Sequence, residues 1–120
     1  MTLLLAALAG GLGAAARFLV DTFVARWNRT SFPLGTIVVN TTACFLLGLL
    51  TGWTAAVTAP GAVAAIFGVG FLGGYSTFST AMVEGARLVR QRRPWAAIAH
   101  SGGMLVLGLG AAALGLLVFG

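Results

Sequence analysis

The stretch GFLGGYSTFST, residues 70–80, begins as an apolar helix and then turns polar. Its two adjacent glycines are followed by tyrosine, serine, threonine, phenylalanine, serine and threonine. The stretch lies inside a run without charged side chains that extends from Arg29 to Glu84. Paired glycines weaken a helix, and a break at membrane depth needs protein or water to satisfy the freed backbone groups. The stretch therefore predicts a helix that breaks at the glycine pair, Gly73 and Gly74, where the surroundings must satisfy the freed backbone groups.

The composition of the whole chain indicates a membrane protein. Of its 120 residues, 59% are hydrophobic and 8% are charged, and the mean hydropathy is +1.02. Soluble domains carry about a quarter charged residues, and a helix crosses the hydrocarbon core with roughly 20 apolar residues. The sequence predicts an all-α protein with a single domain of four transmembrane helices, the third broken, at about 3–23, 34–53, 61–90 and 95–119.

The charges and the connecting segments give further predictions. No positive charge precedes the first apolar segment, so we interpret it as a retained helix and not a secretory signal. Cys44 is the only cysteine and is expected to be a small buried residue. Turn and helix-start residues after the first span are Asn28, Ser31 and Pro33.

The formal charge of +5 indicates positively charged cytoplasmic loops of a membrane protein and not binding to a nucleic acid. All seven arginines lie toward one side of the predicted bundle, so the positive-inside rule places both termini outside.

The residues alone leave two interpretations of the break open. Discontinuous membrane helices expose backbone groups to ions at the midplane. Alternatively, Ser and Thr hydroxyls bonded to the backbone can relieve a simple kink.

Three motifs together resemble those of the CrcB/Fluc fluoride-channel family: GGLGAAARF at 10–18, FPLGTIVVN at 32–40 and the stretch at 70–80. The resemblance covers essentially the whole chain. It implies four helices per subunit, two antiparallel subunits, and a broken third helix at their interface. It also implies a passive, selective fluoride channel that lowers cytoplasmic fluoride, and not an enzyme.

The same resemblance implies site residues. A structural Na⁺ would be held by the backbone carbonyls of Gly73 and Ser76. The fluoride path would be lined by donors and by an aromatic edge, contributed by Asn40, Thr36, Phe78, Ser79 and Thr80. Asn40 can instead serve as a polar link between helices, although the resemblance favours the pore role. Arg17 either forms a positive vestibule or snorkels toward the interface, paired with Asp21.

Departures from the family pattern keep other functions open. Ala81 stands where the family usually repeats a phenylalanine, and the polar track of the fourth helix is replaced by His100, Met104 and Gly108. A non-conducting partner subunit is therefore an alternative. A small multidrug exporter needs a membrane-embedded carboxylate in its first helix to exchange protons for the drug. Residues 1–16 contain no acid, so this function is disfavoured. The unequal charges of the two faces predict pairing with a paralogous subunit of opposite orientation.

Overall fold

The computed structural model describes residues 1–30 and 32–119, and this part of the chain is helical except for short connections and one break. The predicted turn residue Ser31 lies outside the described residues. Four helices in the described part are long and apolar enough to cross a membrane. The prediction of an all-helical membrane protein with an interrupted third span is confirmed. Its assembly into a dimer stays a prediction.

The first, second and fourth spans are single helices, α1 (Thr2–Trp27), α2 (Leu34–Val57) and α5 (Pro94–Phe119). The third span consists of α3, residues 61–75, and α4 (Ser79–Arg90). The middle of α3 (Ala64–Leu72) has π-helical hydrogen bonding, a form that occurs frequently at functional sites. Compared with the predicted spans, α1 and α2 each extend four residues further at the C-terminal end.

The connection between α1 and α2 is organised by Asn28. Its Oδ1 accepts hydrogen bonds from the Thr30 amide at 3.0 Å and the Thr30 hydroxyl at 2.7 Å, and its Nδ2 donates to the Phe32 carbonyl at 2.8 Å. Asparagine commonly forms such local turns, because its short side chain reaches the backbone two residues on. The turn brings the start of α2 beside the end of α1.

Close backbone contacts join the spans into two parallel pairs. In the first pair, Gly74 of α3 lies against Gly10 of α1, where an added Cβ would lie 2.8 Å from the Gly10 carbonyl carbon. In the second, Gly48 of α2 lies against Ala112 of α5, with an added Cβ 3.1 Å from the Ala112 carbonyl carbon. Small residues permit such close approach in membranes. Each pair is thus fixed by glycine.

The interior between these pairs is small and lies beside the break. Its central cluster consists of Val39 and Ala43 of α2 and Tyr75 at the end of α3. The Tyr75 hydroxyl lies 2.8 Å from the Thr42 hydroxyl, and its ring stacks on Phe71. Large apolar side chains cover most of the outer surface, as expected where lipid or another subunit replaces water. The core therefore holds the end of α3 against α2.

Candidate functional site at the break in the third span

The helix breaks after the glycine pair. Gly73 and Gly74 keep helical geometry, and the chain becomes extended at Ser76, with φ −76° and ψ 161°. The prediction that the glycine pair itself forms the break was wrong by about three residues. Gly74 serves the close contact with α1, and the interruption occupies Ser76 to Phe78.

Asn40 of α2 holds the break with two hydrogen bonds to Thr77. Its Oδ1 accepts the Thr77 amide at 2.9 Å, and its Nδ2 donates to the Thr77 carbonyl at 2.8 Å. The second Nδ2 hydrogen is directed to Met104 Sδ, at 3.1 Å, and a thioether is a weak acceptor. Asn40 thus links α2 to the break. Its remaining N–H donates only to the weak acceptor Met104 Sδ, which a stronger acceptor can replace.

Side chains intercept the amides that would close a continuous helix across the break. An α-helical carbonyl accepts from the amide four residues later, so Gly73 would bond the Thr77 amide and Ser76 the Thr80 amide. The Thr77 amide instead donates to Asn40, and the Thr80 amide donates to Thr77 Oγ1 at 3.2 Å. The carbonyls of Gly73 and Ser76 therefore lose their helical donors. These are the two carbonyls that the sequence resemblance implies as cation ligands.

Arg17 of α1 reaches the same break. Its Nη1 donates to the Ser76 carbonyl at 3.4 Å, across 59 residues of sequence. In the described part of the chain Arg17 forms no ion pair with Asp21, whose carboxylate lies against Gly35. The guanidinium thus places a positive charge next to the break, and the alternative of an Arg17–Asp21 pair finds no support.

An open groove of about 530 Å³ lies beside the break, between α2, α3, α4 and α5. Four predicted site residues line it: Asn40, Gly73, Ser76 and Phe78. The Phe78 side chain is 76% exposed, so its ring edge is available to a molecule or a subunit in the groove. The rest of the lining is mainly apolar, which limits the number of polar groups that a bound ion meets.

The other three predicted path residues, Thr36, Ser79 and Thr80, line a separate pocket of about 350 Å³. This pocket also contains two carboxylates, from Asp21 and Glu84, and the side chain of Arg87. The buried Thr36 hydroxyl donates to Glu84 Oε1, so its hydrogen is already committed. The Glu84–Arg87 ion pair is long, at 3.9 Å, with the Arg87 side chain 60% exposed. The structure thus divides the predicted path into two cavities.

The positions at which the sequence departs from the family pattern fall in three places. Ala81 and Met104 line the groove itself. Gly108 packs against Cys44 of α2, where an added Cβ would lie 3.2 Å from the sulfur. His100 is fully buried, its ring meets the Phe32 ring edge-on, and neither ring nitrogen has a partner among the described residues.

Thr77 is a site residue that the sequence analysis missed. It is 8% exposed and all its backbone and side-chain polar groups are bonded to Asn40 or Thr80. Threonine is a preferred residue just before a helix, because its side-chain oxygen accepts an amide of the first turn, as Thr77 does from Thr80. This preference could have placed the start of α4 from the sequence.

Comparison with known proteins assigns the family. The model of the CrcB-like protein family, Camphor Resistance (CrcB), matches residues 4–116. The chain belongs to the CrcB family. A relative from Leifsonia xyli subsp. xyli, named Fluoride-specific ion channel FluC 1, is 47% identical over 116 residues, which cover 97% of this chain and 85% of the relative.

Two further relatives carry similar names. Fluoride-specific ion channel FluC 2 of Mycobacterium tuberculosis (strain ATCC 25618 / H37Rv) is 46% identical over 108 residues, covering 90% of this chain and 82% of the relative. Fluoride-specific ion channel FluC 1 of Thermobifida fusca is 41% identical over 120 residues, covering 100% and 97%. The break, the groove and the motifs that line them thus belong to a CrcB-family chain.

Proposed function

We propose that this CrcB-family chain is a subunit of a passive, fluoride-specific channel in the cell membrane. The names of its relatives support this function. The observation that carries it in this chain is the second N–H of Asn40, which lies at the groove on a weak acceptor, Met104 Sδ. Fluoride is a much stronger acceptor and can accept a hydrogen bond from this N–H without breaking the Asn40–Thr77 bonds.

Other groups near the break suit a small, strongly hydrated anion. Thr80 Oγ1 accepts a hydrogen bond from the Thr77 hydroxyl at 3.0 Å, which leaves the Thr80 O–H available as a donor. The exposed Phe78 ring can present its electropositive edge. These groups replace part of the water shell of fluoride while binding it weakly enough for release.

The driving force for export needs no energy-coupling site. Hydrogen fluoride enters cells as a neutral acid and dissociates inside. An inside-negative potential then favours anion exit by about 2.3 kcal/mol per charge per 100 mV. The chain's residues act by binding and orienting groups along the path, and we assign no enzymatic step to them.

We also propose that the carbonyls of Gly73 and Ser76 hold a structural Na⁺. Hard cations prefer oxygen ligands, and both carbonyls have lost their helical donors at the break. When bound, the ion would supply a fixed positive charge beside the groove. The Arg17 guanidinium, which donates to the Ser76 carbonyl, adds a second positive charge that attracts anions to this vestibule.

The open groove supports an antiparallel dimer as the working unit. One subunit leaves Phe78 mostly exposed and Ala81 where an aromatic ring would extend the path. A second four-helix subunit in opposite orientation would cover the groove and supply the missing groups. The proposed partner is a paralogue, since six of the seven arginines of this chain lie near one end and the opposite end has none.

A non-conducting partner subunit is the second candidate. It is favoured by the Thr36–Glu84 hydrogen bond, which commits a predicted fluoride donor, and by two carboxylates in the pocket of Ser79 and Thr80. In that case the chain would complete a pore formed by its paralogue.

Fluoride efflux from proteoliposomes that contain this chain and the proposed paralogue tests both candidates. Phe78→Leu keeps the apolar volume but removes the aromatic edge, and we expect it to lower efflux at least about tenfold, the effect of roughly 1.4 kcal/mol on a barrier. Phe18→Leu is the matched control, because Phe18 is also exposed, at 70%, and lines neither cavity.

The outcomes separate the two candidates. Normal efflux with Phe78→Leu would identify a supporting subunit that does not line the path. No efflux from the wild-type pair, under conditions where a relative conducts, would exclude the channel function.

A further inference from the structure

Thr77 occupies the centre of the break and bonds in two directions. Its backbone amide and carbonyl pair with Asn40 of α2, at 2.9 and 2.8 Å. Its side-chain oxygen accepts from the Thr80 amide at 3.2 Å, and its hydroxyl donates to Thr80 Oγ1 at 3.0 Å. The backbone pair holds the residue in place, while the side chain acts only on the first turn of α4.

The side-chain bond determines which partner the Ser76 carbonyl can have. In an uninterrupted helix the Thr80 amide would donate to that carbonyl. Threonine hydroxyls compete with the backbone for such amides at helix starts. Because Thr77 Oγ1 accepts this amide, the Ser76 carbonyl has no helical donor and can accept from a cationic partner, as it does from Arg17 at 3.4 Å.

We propose that Thr77 is a positioning residue for the cation site, and that its hydroxyl keeps the Ser76 carbonyl available by capturing the Thr80 amide. The inference rests on the Na⁺ site proposed above and names the residue that sets its affinity. Without the hydroxyl, the Thr80 amide turns to the Ser76 carbonyl, α4 gains a turn at its start, and the cation competes with a hydrogen bond for its ligand.

Thr77→Val and Thr77→Ser form the matched test, because valine keeps the shape of threonine and serine keeps the hydroxyl. The measurement is the thermal unfolding midpoint of the protein purified together with the proposed paralogue, titrated with NaCl against N-methyl-D-glucamine chloride. We expect Thr77→Val to need about tenfold more Na⁺ for half of its maximal stabilisation, the effect of one competing neutral hydrogen bond. Thr77→Ser should match the wild type. Equal Na⁺ requirements for valine and serine would overturn the inference.

A second variant tests the role of the Thr80 amide directly. Thr80→Pro removes this amide, and proline is tolerated in the first turn of a helix. In the Thr77→Val background it should restore the wild-type Na⁺ requirement, since no amide remains to capture the Ser76 carbonyl. A double variant that still needs tenfold more Na⁺ would also overturn the inference.

The readout is separate from conduction, so the two proposals can fail independently. If the wild type shows no Na⁺-dependent stabilisation but conducts fluoride, the cation site and the role of Thr77 are refuted and the channel function stands. If Na⁺ stabilises the protein as expected and no fluoride flows, the channel function is refuted and the role of Thr77 stands.

Discussion

At the scale of single residues, Asn40 and its neighbour Thr41 make opposite contributions to stability. Asn40 satisfies the amide and the carbonyl of Thr77, whereas the buried Thr41 Oγ1 has no hydrogen-bond partner among the described residues. We expect Asn40→Ala to lower the free energy of unfolding by about 2 kcal/mol, because both bonds to the Thr77 backbone are lost and those buried groups are left unpaired. Thr41→Val should be neutral or stabilising, since it removes an unpaired polar atom.

Reversible unfolding in mixed micelles measures the change in the free energy of unfolding for both variants. Because the two positions are adjacent in α2, Thr41→Val serves as the control for Asn40→Ala. The assignment of Asn40 as the support of the break would be wrong if both variants unfolded at the same denaturant fraction as the wild type.

Ser76 contributes through its backbone, which gives a second prediction at this scale. Its carbonyl accepts from Arg17, and a backbone oxygen is unchanged when the side chain is shortened. Ser76→Ala should therefore keep fluoride efflux and Na⁺-dependent stabilisation within about twofold of the wild type, the range of a typical half-kcal/mol effect of a mild substitution. Loss of either property would show that the Ser76 hydroxyl is itself a ligand.

At the scale of helices, the sequence predicted the number and the type of elements well and the position of the break less well. Apolar length alone predicted four spans, because lipid leaves the backbone little choice except helix. The break was predicted at Gly73 and Gly74, where glycine weakens a helix. It occurs at Ser76 because the next residue, Thr77, pairs through its backbone with Asn40, which lies 37 residues earlier in the sequence. No local signal contains such a contact.

The division of the predicted site residues between two cavities also depended on packing. Asn40 and Phe78 meet at the groove, while Thr36 bonds Glu84 in the neighbouring pocket. The residue types indicated hydrogen-bond donors, but they gave no signal for the contact between Thr36 and Glu84, which lie 48 residues apart in sequence.

The two glycines of the signature stretch should respond differently to alanine. An added Cβ at Gly74 would lie 2.8 Å from the Gly10 carbonyl carbon, whereas at Gly73 the nearest such atom, the Gly68 carbonyl oxygen, is 4.0 Å away. Gly74→Ala should force α1 and α3 apart and cost about 1–3 kcal/mol, as overpacking does. Gly73→Ala should fold normally, because the added methyl group makes only an ordinary van der Waals contact.

Gly11→Ala is the control for this comparison, since no atom lies within 4 Å of a Cβ there. Thermal unfolding of the three purified variants gives the order of stability. Equal stability of Gly74→Ala and Gly11→Ala would mean that α1 and α3 do not make this close contact in the membrane.

At the scale of the whole molecule, the chain is a thin bundle with most of its charge at one end. It measures 49 × 30 × 23 Å, and the long axis is close to the roughly 40–45 Å thickness of a bilayer with its headgroups. The Asn28 turn, the start of α2 and the end of α4 meet at the charged end, where Asp21 lies against Gly35 and Thr36 bonds Glu84. The connection between α2 and α3 lies at the opposite end.

The unequal charge predicts one orientation and a different partner. Six of the seven arginines lie on or beside the α1–α2 and α4–α5 connections: Arg26, Arg29, Arg87, Arg90, Arg92 and Arg93. Arg17 lies deeper in α1, where it donates to the Ser76 carbonyl, and the opposite face has no arginine or lysine. The positive-inside rule therefore places both connections in the cytoplasm and both termini outside. An antiparallel homodimer needs one chain to insert both ways, which requires nearly balanced charges.

Reporters that are active only outside the cytoplasm should be active when fused to either terminus. This chain should conduct fluoride only when a paralogue of reversed charge bias is expressed with it. Termini on both sides of the membrane, or full efflux from this chain alone, would show that it pairs with itself.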